Sequence, residues 1–330
     1  MEPAPFRSDI ADGPADGQAW WRTTSDGVRI RIGLYNREAP KGTVFLFPGR
    51  TEYIEKYGRA ANHLAAQGYA TLAIDWRGQG LADRLLPDTM TGHVHHFSDY
   101  QLDVTEMVAL AAEMDLPKPW HLLAHSMGGC IGLRALYLGL PVNSAVFSGP
   151  MWGVRISEIL RPVAWSLSWG SRYVGMGHLY APSTYGAPYV LNEPFETNKL
   201  THDRDMYQYM IDQTLACPEL GLGGPSLRWL HEALKETRDL ARLPSPDLPC
   251  LNMTGTEEDI VCVPRIRGRM ARWPGSRMVW VDGAKHEVLM EDEATQTDLF
   301  GQIGAFYDEH ARPMRTANLE ARAASAAPAR

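Results

Sequence analysis

Between residues 27 and 150, short apolar runs alternate with stretches of helical period. Residues 28–34 alternate apolar and polar positions, the pattern of a half-exposed edge or hairpin strand. Residues 43–47, 69–75, 120–126 and 144–149 are nearly continuous runs of apolar or small side chains. Each ends at a turn signal, as strands buried on both faces of a parallel sheet do. Between them Val104, Met107, Val108 and Ala111 recur at i, i+3, i+4 and i+7, the face of a helix. This repeated strand-then-helix order predicts a mostly parallel sheet flanked by helices.

From Met151 to Leu243 the strand-like runs stop. Helical stretches rich in Trp, Tyr and Met take over, interrupted by Gly and Pro. After Leu243-Pro-Ser-Pro-Asp-Leu-Pro the alternation resumes, with strands expected over 250–254 and 277–282. A last helix is expected over 294–310, its face formed by Leu299, Phe300, Ile303, Phe306 and Tyr307. The chain therefore divides into an N-terminal extension (1–24), an α/β core (25–150 and 244–314), an inserted helical cap (151–243) and an Ala/Arg-rich tail (315–330) expected to fray. No internal repeat is visible.

Composition narrows this picture only at a few points. With 32 basic and 39 acidic side chains, the formal charge of the 330 residues is −7. That balance argues against a nucleic-acid partner, which needs a basic patch. Cys130, Cys217, Cys250 and Cys262 lie far apart and form no CxxC, so they read as thiols in a reducing compartment and not as a zinc site or disulfide framework. The acidic, Pro/Ala/Gly-rich start lacks a basic segment followed by an apolar one, so no secretory signal is expected. No apolar run approaches the roughly 18 residues that cross a bilayer. A cytoplasmic location is the expectation, with membrane contact only at the periphery.

The chemistry begins where residues 120–126 run into Ala124-His125-Ser126-Met127-Gly128 and then a helical pattern. A strand that turns sharply into a helix at small-x-Ser-x-Gly is a nucleophile elbow. Small residues at 124 and 128 let the two backbones approach, and the turn lifts the Ser126 hydroxyl above the sheet. Serine is a weak nucleophile near neutral pH, so it needs a general base oriented by a carboxylate, in the order Ser, acid, His. Among eleven histidines, His286 follows the last predicted strand, where its loop would overhang the sheet edge. His125 adjoins the nucleophile but points away from it in an elbow, and packing is its expected role. The cluster His93-Val94-His95-His96 lacks zinc-motif spacing and reads as a polar loop before a helix at Asp99. Glu257, Glu258 and Asp259 compete for the acid. Asp259 precedes the apolar pair Ile260-Val261 and is expected to turn inward, with Glu257 and Glu258 in a solvated turn. The oxyanion needs two N–H donors, expected from Met127 and from Arg50 in Pro48-Gly49-Arg50-Thr51-Glu52.

At this point the chain resembles the lysophospholipase and monoacylglycerol lipase branch of the α/β-hydrolase superfamily, over residues 25–310. The oxyanion loop stands where that branch carries His-Gly-x-x-Glu, with Pro48 in place of the histidine. Asp75-Trp76-Arg77-Gly78-Gln79-Gly80 matches its Asp-x-Arg-Gly-x-Gly. The elbow, Gly255-x-x-x-Asp259-x-Val261 and Lys285-His286-Glu287 match as well. Gly92-His93-Val94, Ser148-Gly149-Pro150-Met151, Asn198-Lys-Leu-Thr-His202 and Gly223-Gly-Pro-Ser226 resemble its bacterial lysophospholipase-like members. The resemblance implies the α/β-hydrolase fold and hydrolysis of single-chain lipid esters. The loss of the family histidine is expected to leave the oxyanion loop without a brace, and the rest of 75–80 to shape the sheet edge.

In the cap, Met151, Trp152, Ile156, Ile159, Leu160, Val163, Trp165, Leu167 and Trp169 form a long apolar stretch. Met151, Trp152 and Ile156, with Glu52, are the expected substrate contacts, and Arg155, Arg161 and Arg172 could meet a phosphate head group. A small-molecule carboxylesterase or lactonase would use the same triad. An acyltransferase would keep it and exclude water, and a non-catalytic binding protein would be expected to lose one of its members. No cofactor or metal is called for.

Overall fold

The computed structural model describes residues 1–156 and 161–312. Nine described strands form one sheet: β1 (Glu2–Ala4), β2 (Gln18–Thr23), β3 (Arg29–Tyr35), β4 (Gly42–Phe47), β5 (Tyr69–Asp75), β6 (Trp120–His125), β7 (Ala145–Ser148), β8 (Cys250–Gly255) and β9 (Arg277–Val281). Their order is β1-β2-β3-β5-β4-β6-β7-β8-β9. The first three join antiparallel, up to β5, and every pairing from β5 onward is parallel. The helices are α1 (Ser8–Ala11), α2 (Gly58–Ala66), α3 (Tyr100–Glu113), α4 (Ser126–Tyr137), α5 (Arg161–Gly170), α6 (Tyr189–Asn192), α7 (Arg204–Ala216), α8 (Leu227–Arg242), α9 (Val263–Met270) and α10 (Glu293–Glu309).

The central strands are apolar throughout because both of their faces are covered. In β4, Phe45 and Phe47 enter a core with Met107 of α3, Ile131 of α4 and Trp229 of α8. Val44 and Leu46 enter the opposite core with Leu64 of α2 and Phe300 and Ile303 of α10. This split follows from the two-residue period of a strand. The parallel strands β4, β6, β8 and β9 all discharge their loops at one sheet edge, where open α/β sheets place their sites.

Two features lie outside the sequence expectation. The N-terminal extension is part of the sheet: β1 pairs with β2, and β2 with β3 over residues 18–23 and 29–34. Between β7 and β8 the described chain is helical, but α8 does more than cover a gap. Its Trp229, Ala233 and Leu240 belong to the main core, and its N-cap Ser226 accepts the Trp229 N–H at 3.0 Å. Ile159, Leu160, the Arg161 side chain and the 315–330 tail lie outside the described residues.

Candidate active site

The elbow is built as a strained turn. β6 ends at His125, and Ser126 begins α4 with φ of 48°, a left-handed conformation unfavourable for a residue with a Cβ. The turn brings α4 against the β4 loop so closely that a Cβ on Gly128 would collide with the carbonyl oxygens of Phe47 and Pro48. That is the physical reason for the glycine. At the helix start, the first N–H groups, Met127 among them, lack intrahelical acceptors and are available to an anion.

His286 sits on the loop after β9, and its Nε2 lies 2.9 Å from Ser126 Oγ. Its Nδ1 lies 2.6 Å from Glu258 Oε2. The structure thus brings Ser126 and His286 together as expected, but places Glu258 at the position expected of Asp259. Glu258 is buried and its other oxygen accepts the N–H groups of Ile260 at 2.7 Å and Val261 at 3.0 Å. The turn folds around this carboxylate. The apolar pair expected to direct Asp259 inward instead points its amides at Glu258. Asp259 faces outward, ion-paired with Lys199 at 2.6 Å and with Arg155. Glu257 is exposed and pairs with His202.

Burial opposes charge on both partners of the His286–Glu258 pair. Their mutual attraction and hydrogen bond outweigh it, so the imidazole is raised above its ordinary value and the carboxyl lowered. Glu52 and Glu287 add to the shift on His286. These two acids belong to a second buried cluster beneath the site. Lys56 Nζ bridges Glu52 and Glu287 at 2.6 Å each. Burial would raise the Glu52 carboxyl, but Lys56 and His125 hold it down at about 2. His125 faces both acids at 3.6 and 3.7 Å, and burial lowers its own basicity. Glu52, His125 and Glu287 are close enough to hold a cation, and the positive charge between the acids is that of Lys56.

Glu52 differs from the substrate contact expected of it. Although it lines the cavity, its carboxylate accepts the N–H of Gly49 and the hydroxyl of Tyr57, so it braces the oxyanion loop. Pro48, at the family's histidine position, does not leave that loop unsupported. Trp76 Nε1 donates to Pro48 O at 3.0 Å, and Gln79 Nε2 donates to Gly49 O at 2.8 Å and Glu52 O at 2.9 Å. The 75–80 motif therefore braces the loop, beyond the sheet-edge role expected of it. Arg50 and Met127 both line the cavity beside Ser126.

The cavity, of about 340 Å³, opens over Ser126 and His286 between the sheet edge and the segment 188–229. Its walls are mainly apolar, from Met151, Val154, Val190, Leu200, Met210, Leu222 and Ile260. Met151, expected as a substrate contact, lines the cavity. Trp152 does not: it is buried against Phe147 and Trp273, with Nε1 donating to Gly129 O. Ile156 is not among the lining residues. The segment 198–202 is stitched to the histidine loop by the Glu287 N–H donating to Leu200 O at 2.8 Å and Thr201 Oγ1 to Met290 O at 2.7 Å. The histidines at 93–96 form the expected polar loop, with His93 Nδ1 2.8 Å from Ser226 Oγ.

Comparison with known proteins agrees with this geometry. The family described as serine aminopeptidase, S33, matches residues 38–293. Lysophospholipase L2 of Escherichia coli K12 is 30% identical over 303 residues, 88% of this chain and 87% of that protein. A monoacylglycerol lipase of Mycolicibacterium smegmatis is 32% identical over 42% of this chain and 49% of its own. A soluble variant of monoglyceride lipase from Saccharomyces cerevisiae, crystallised with a substrate analogue, superposes with a TM-score of 0.71 at 18% identity, covering 94% of this chain and all of that one. A carboxyl esterase of Bacillus coagulans gives 0.72 at 14% identity, covering 90% and 99%. These two structures share the fold. The family match and the Escherichia coli relative show that the chain belongs to the family described as serine aminopeptidase, S33, in the lysophospholipase and monoacylglycerol lipase-like branch of the α/β hydrolases.

Proposed function

We propose that this enzyme hydrolyses single-chain lipid esters through an acyl-enzyme on Ser126, with His286 as base and Glu258 as its partner. The observation that carries the reading is the continuous hydrogen-bonded chain from Glu258 through His286 to Ser126 at the floor of an apolar cavity. His286 Nε2 takes the hydroxyl proton as Oγ bonds to the ester carbonyl carbon. Glu258 holds the Nδ1–H tautomer and stabilises the imidazolium. The N–H groups of Met127 and Arg50 receive the oxyanion. His286 then gives its proton to the departing alcohol, and a water molecule repeats the sequence to release the fatty acid and restore Ser126.

Apolar walls suit an acyl chain, and a cavity of this size lies in the range of small-ligand sites. We further propose peripheral membrane contact through the cap. Most of the large exposed apolar side chains among the described residues fall between Val163 and Leu191, and Tyr189 of this stretch also lines the cavity. No described helix is long and apolar enough to cross a membrane.

The experiment is a hydrolysis panel of a monoacylglycerol, a lysophospholipid, p-nitrophenyl esters of rising chain length and a lactone. Long single-chain esters should lead, and Ser126→Ala should lose on the order of 10⁴-fold or more in kcat. Preference for acetate or lactone substrates would reject the lipid assignment, and undiminished turnover by Ser126→Ala would reject the nucleophile.

A further inference from the structure

Three cationic side chains line the cavity: Arg50, Lys56 and Lys199. Lys56 is neutralised by Glu52 and Glu287, and Lys199 by Asp259. Arg50 differs. Among the described residues no carboxylate pairs with it; its Nη1 donates to the carbonyl of Gly223 at 2.8 Å, and its Cζ lies 5.8 Å from the centroid of the Trp229 ring. Burial without a carboxylate depresses the guanidinium to about 10, still charged at neutral pH. The side chain is half-buried, and a partly desolvated cation without a counter-ion gains more from an incoming anion than a fully solvated one does.

Its seat is built from two segments that the reaction does not use. Gly92 and Gly223–Ser226 run together, with Gly92 N–H donating to Gly224 O at 2.9 Å and Ser226 N–H to Gly92 O at 2.8 Å. A Cβ on Gly92 would stand 3.2 Å from Arg50 Nη1, so glycine there leaves room for the guanidinium. The three other arginines considered are placed otherwise: Arg155 pairs with Asp259, Arg172 is half-buried with Nε donating to Trp169 O, and the Arg161 side chain lies outside the described residues.

We propose that Arg50 is the anion subsite of the cavity and receives the phosphodiester of a lysophospholipid while the acyl carbonyl sits over Ser126. The proposal rests on the serine-hydrolase reading of the same site. One residue then serves twice, by its backbone N–H toward the oxyanion and by its side chain toward the head group. Planar guanidinium forks bind phosphate oxygens in pairs, which a lysine cannot reproduce.

The test compares kcat/KM on oleoyl lysophosphatidylethanolamine and on monooleoylglycerol, which share acyl chain and glycerol, for the wild type, Arg50→Gln and Arg50→Lys. Because any disturbance of the oxyanion loop affects both substrates, the ratio is the readout. Arg50→Gln should lower the lysophospholipid-to-monoacylglycerol ratio roughly 10- to 100-fold, and Arg50→Lys should recover part of it. Glycerophosphoethanolamine should inhibit the wild type competitively and Arg50→Gln more weakly, with inhibition by oleate unchanged. An unaltered ratio in both variants, or a wild type that spares lysophospholipid while hydrolysing monoacylglycerol, overturns the subsite. So does a change confined to oleate inhibition. Labelling of Ser126 by a fluorophosphonate separates the two readings. Absence of labelling in the wild type counts against the hydrolase itself, and labelling with an unaltered ratio counts against Arg50 alone.

Discussion

Glu258 and Asp259 are neighbours in sequence and opposites in environment: one buried against an imidazole, the other outward between two cations. What separates them is which carboxylate the Ile260 and Val261 amides reach, a property of the folded turn that no spacing rule encodes. The serine and histidine were legible because each follows a recognisable strand. The acid was legible only to within three consecutive residues. The raised His286 has a consequence for pH. The base must be neutral to act, so kcat/KM should fall as pH drops through a value above that of ordinary imidazole. Glu258→Gln removes the main offset to burial, and the residual activity should show its acid limb at lower pH. An acid limb unmoved in that variant would contradict the pairing. Gly149 is a second sensitive point: its φ is 47°, and a Cβ there would stand 3.2 Å from both Glu258 Oε2 and His286 Nδ1. Gly149→Ala should reduce kcat more than KM, measured by steady-state kinetics.

At the scale of elements, the buried parallel strands were readable because they are apolar on both faces, and their edges fell within one or two residues of expectation. β1 and β2 escaped because an edge ribbon of Glu2–Ala4 and Gln18–Thr23 carries no run of alternating apolar residues long enough to register. Yet the N-terminal segment is tied in by specific bonds. Tyr209 of α7 donates to Ala11 O at 2.6 Å, Gln213 to Ile10 O at 2.8 Å, and Arg31 of β3 to Pro5 O at 2.8 Å. Arg31 also joins Glu55 and Asp75 at 2.7 Å each, all three side chains fully buried. Removing the cation strands two carboxylates, so Arg31→Ala should cost about 3–5 kcal/mol in denaturant unfolding. A loss below about 1 kcal/mol would mean the triad contributes little to folding.

Across the whole molecule, the mostly parallel sheet flanked by helices was readable from the alternation of strand and helix patterns. The convergence of distant loops was not. Glu52 and Lys56, four residues apart, meet His125 and Glu287 from distant parts of the chain in one buried cluster. The large exposed apolar side chains cluster between Val163 and Leu191 on a molecule of net charge −7, so the proposed membrane contact should favour zwitterionic over anionic vesicles. Tyr173→Glu with Val174→Glu should weaken co-sedimentation with phosphatidylcholine vesicles while leaving hydrolysis of a dispersed p-nitrophenyl ester intact. The proposed chemistry runs through the hydrogen-bonded chain from Glu258 through His286 to Ser126. Its most direct test is kcat/KM for Glu258→Gln beside Asp259→Asn on the same ester. The prediction is a loss on the order of 10³–10⁴-fold for the first and less than about tenfold for the second. The reverse pattern, with Asp259→Asn crippled and Glu258→Gln active, would contradict it.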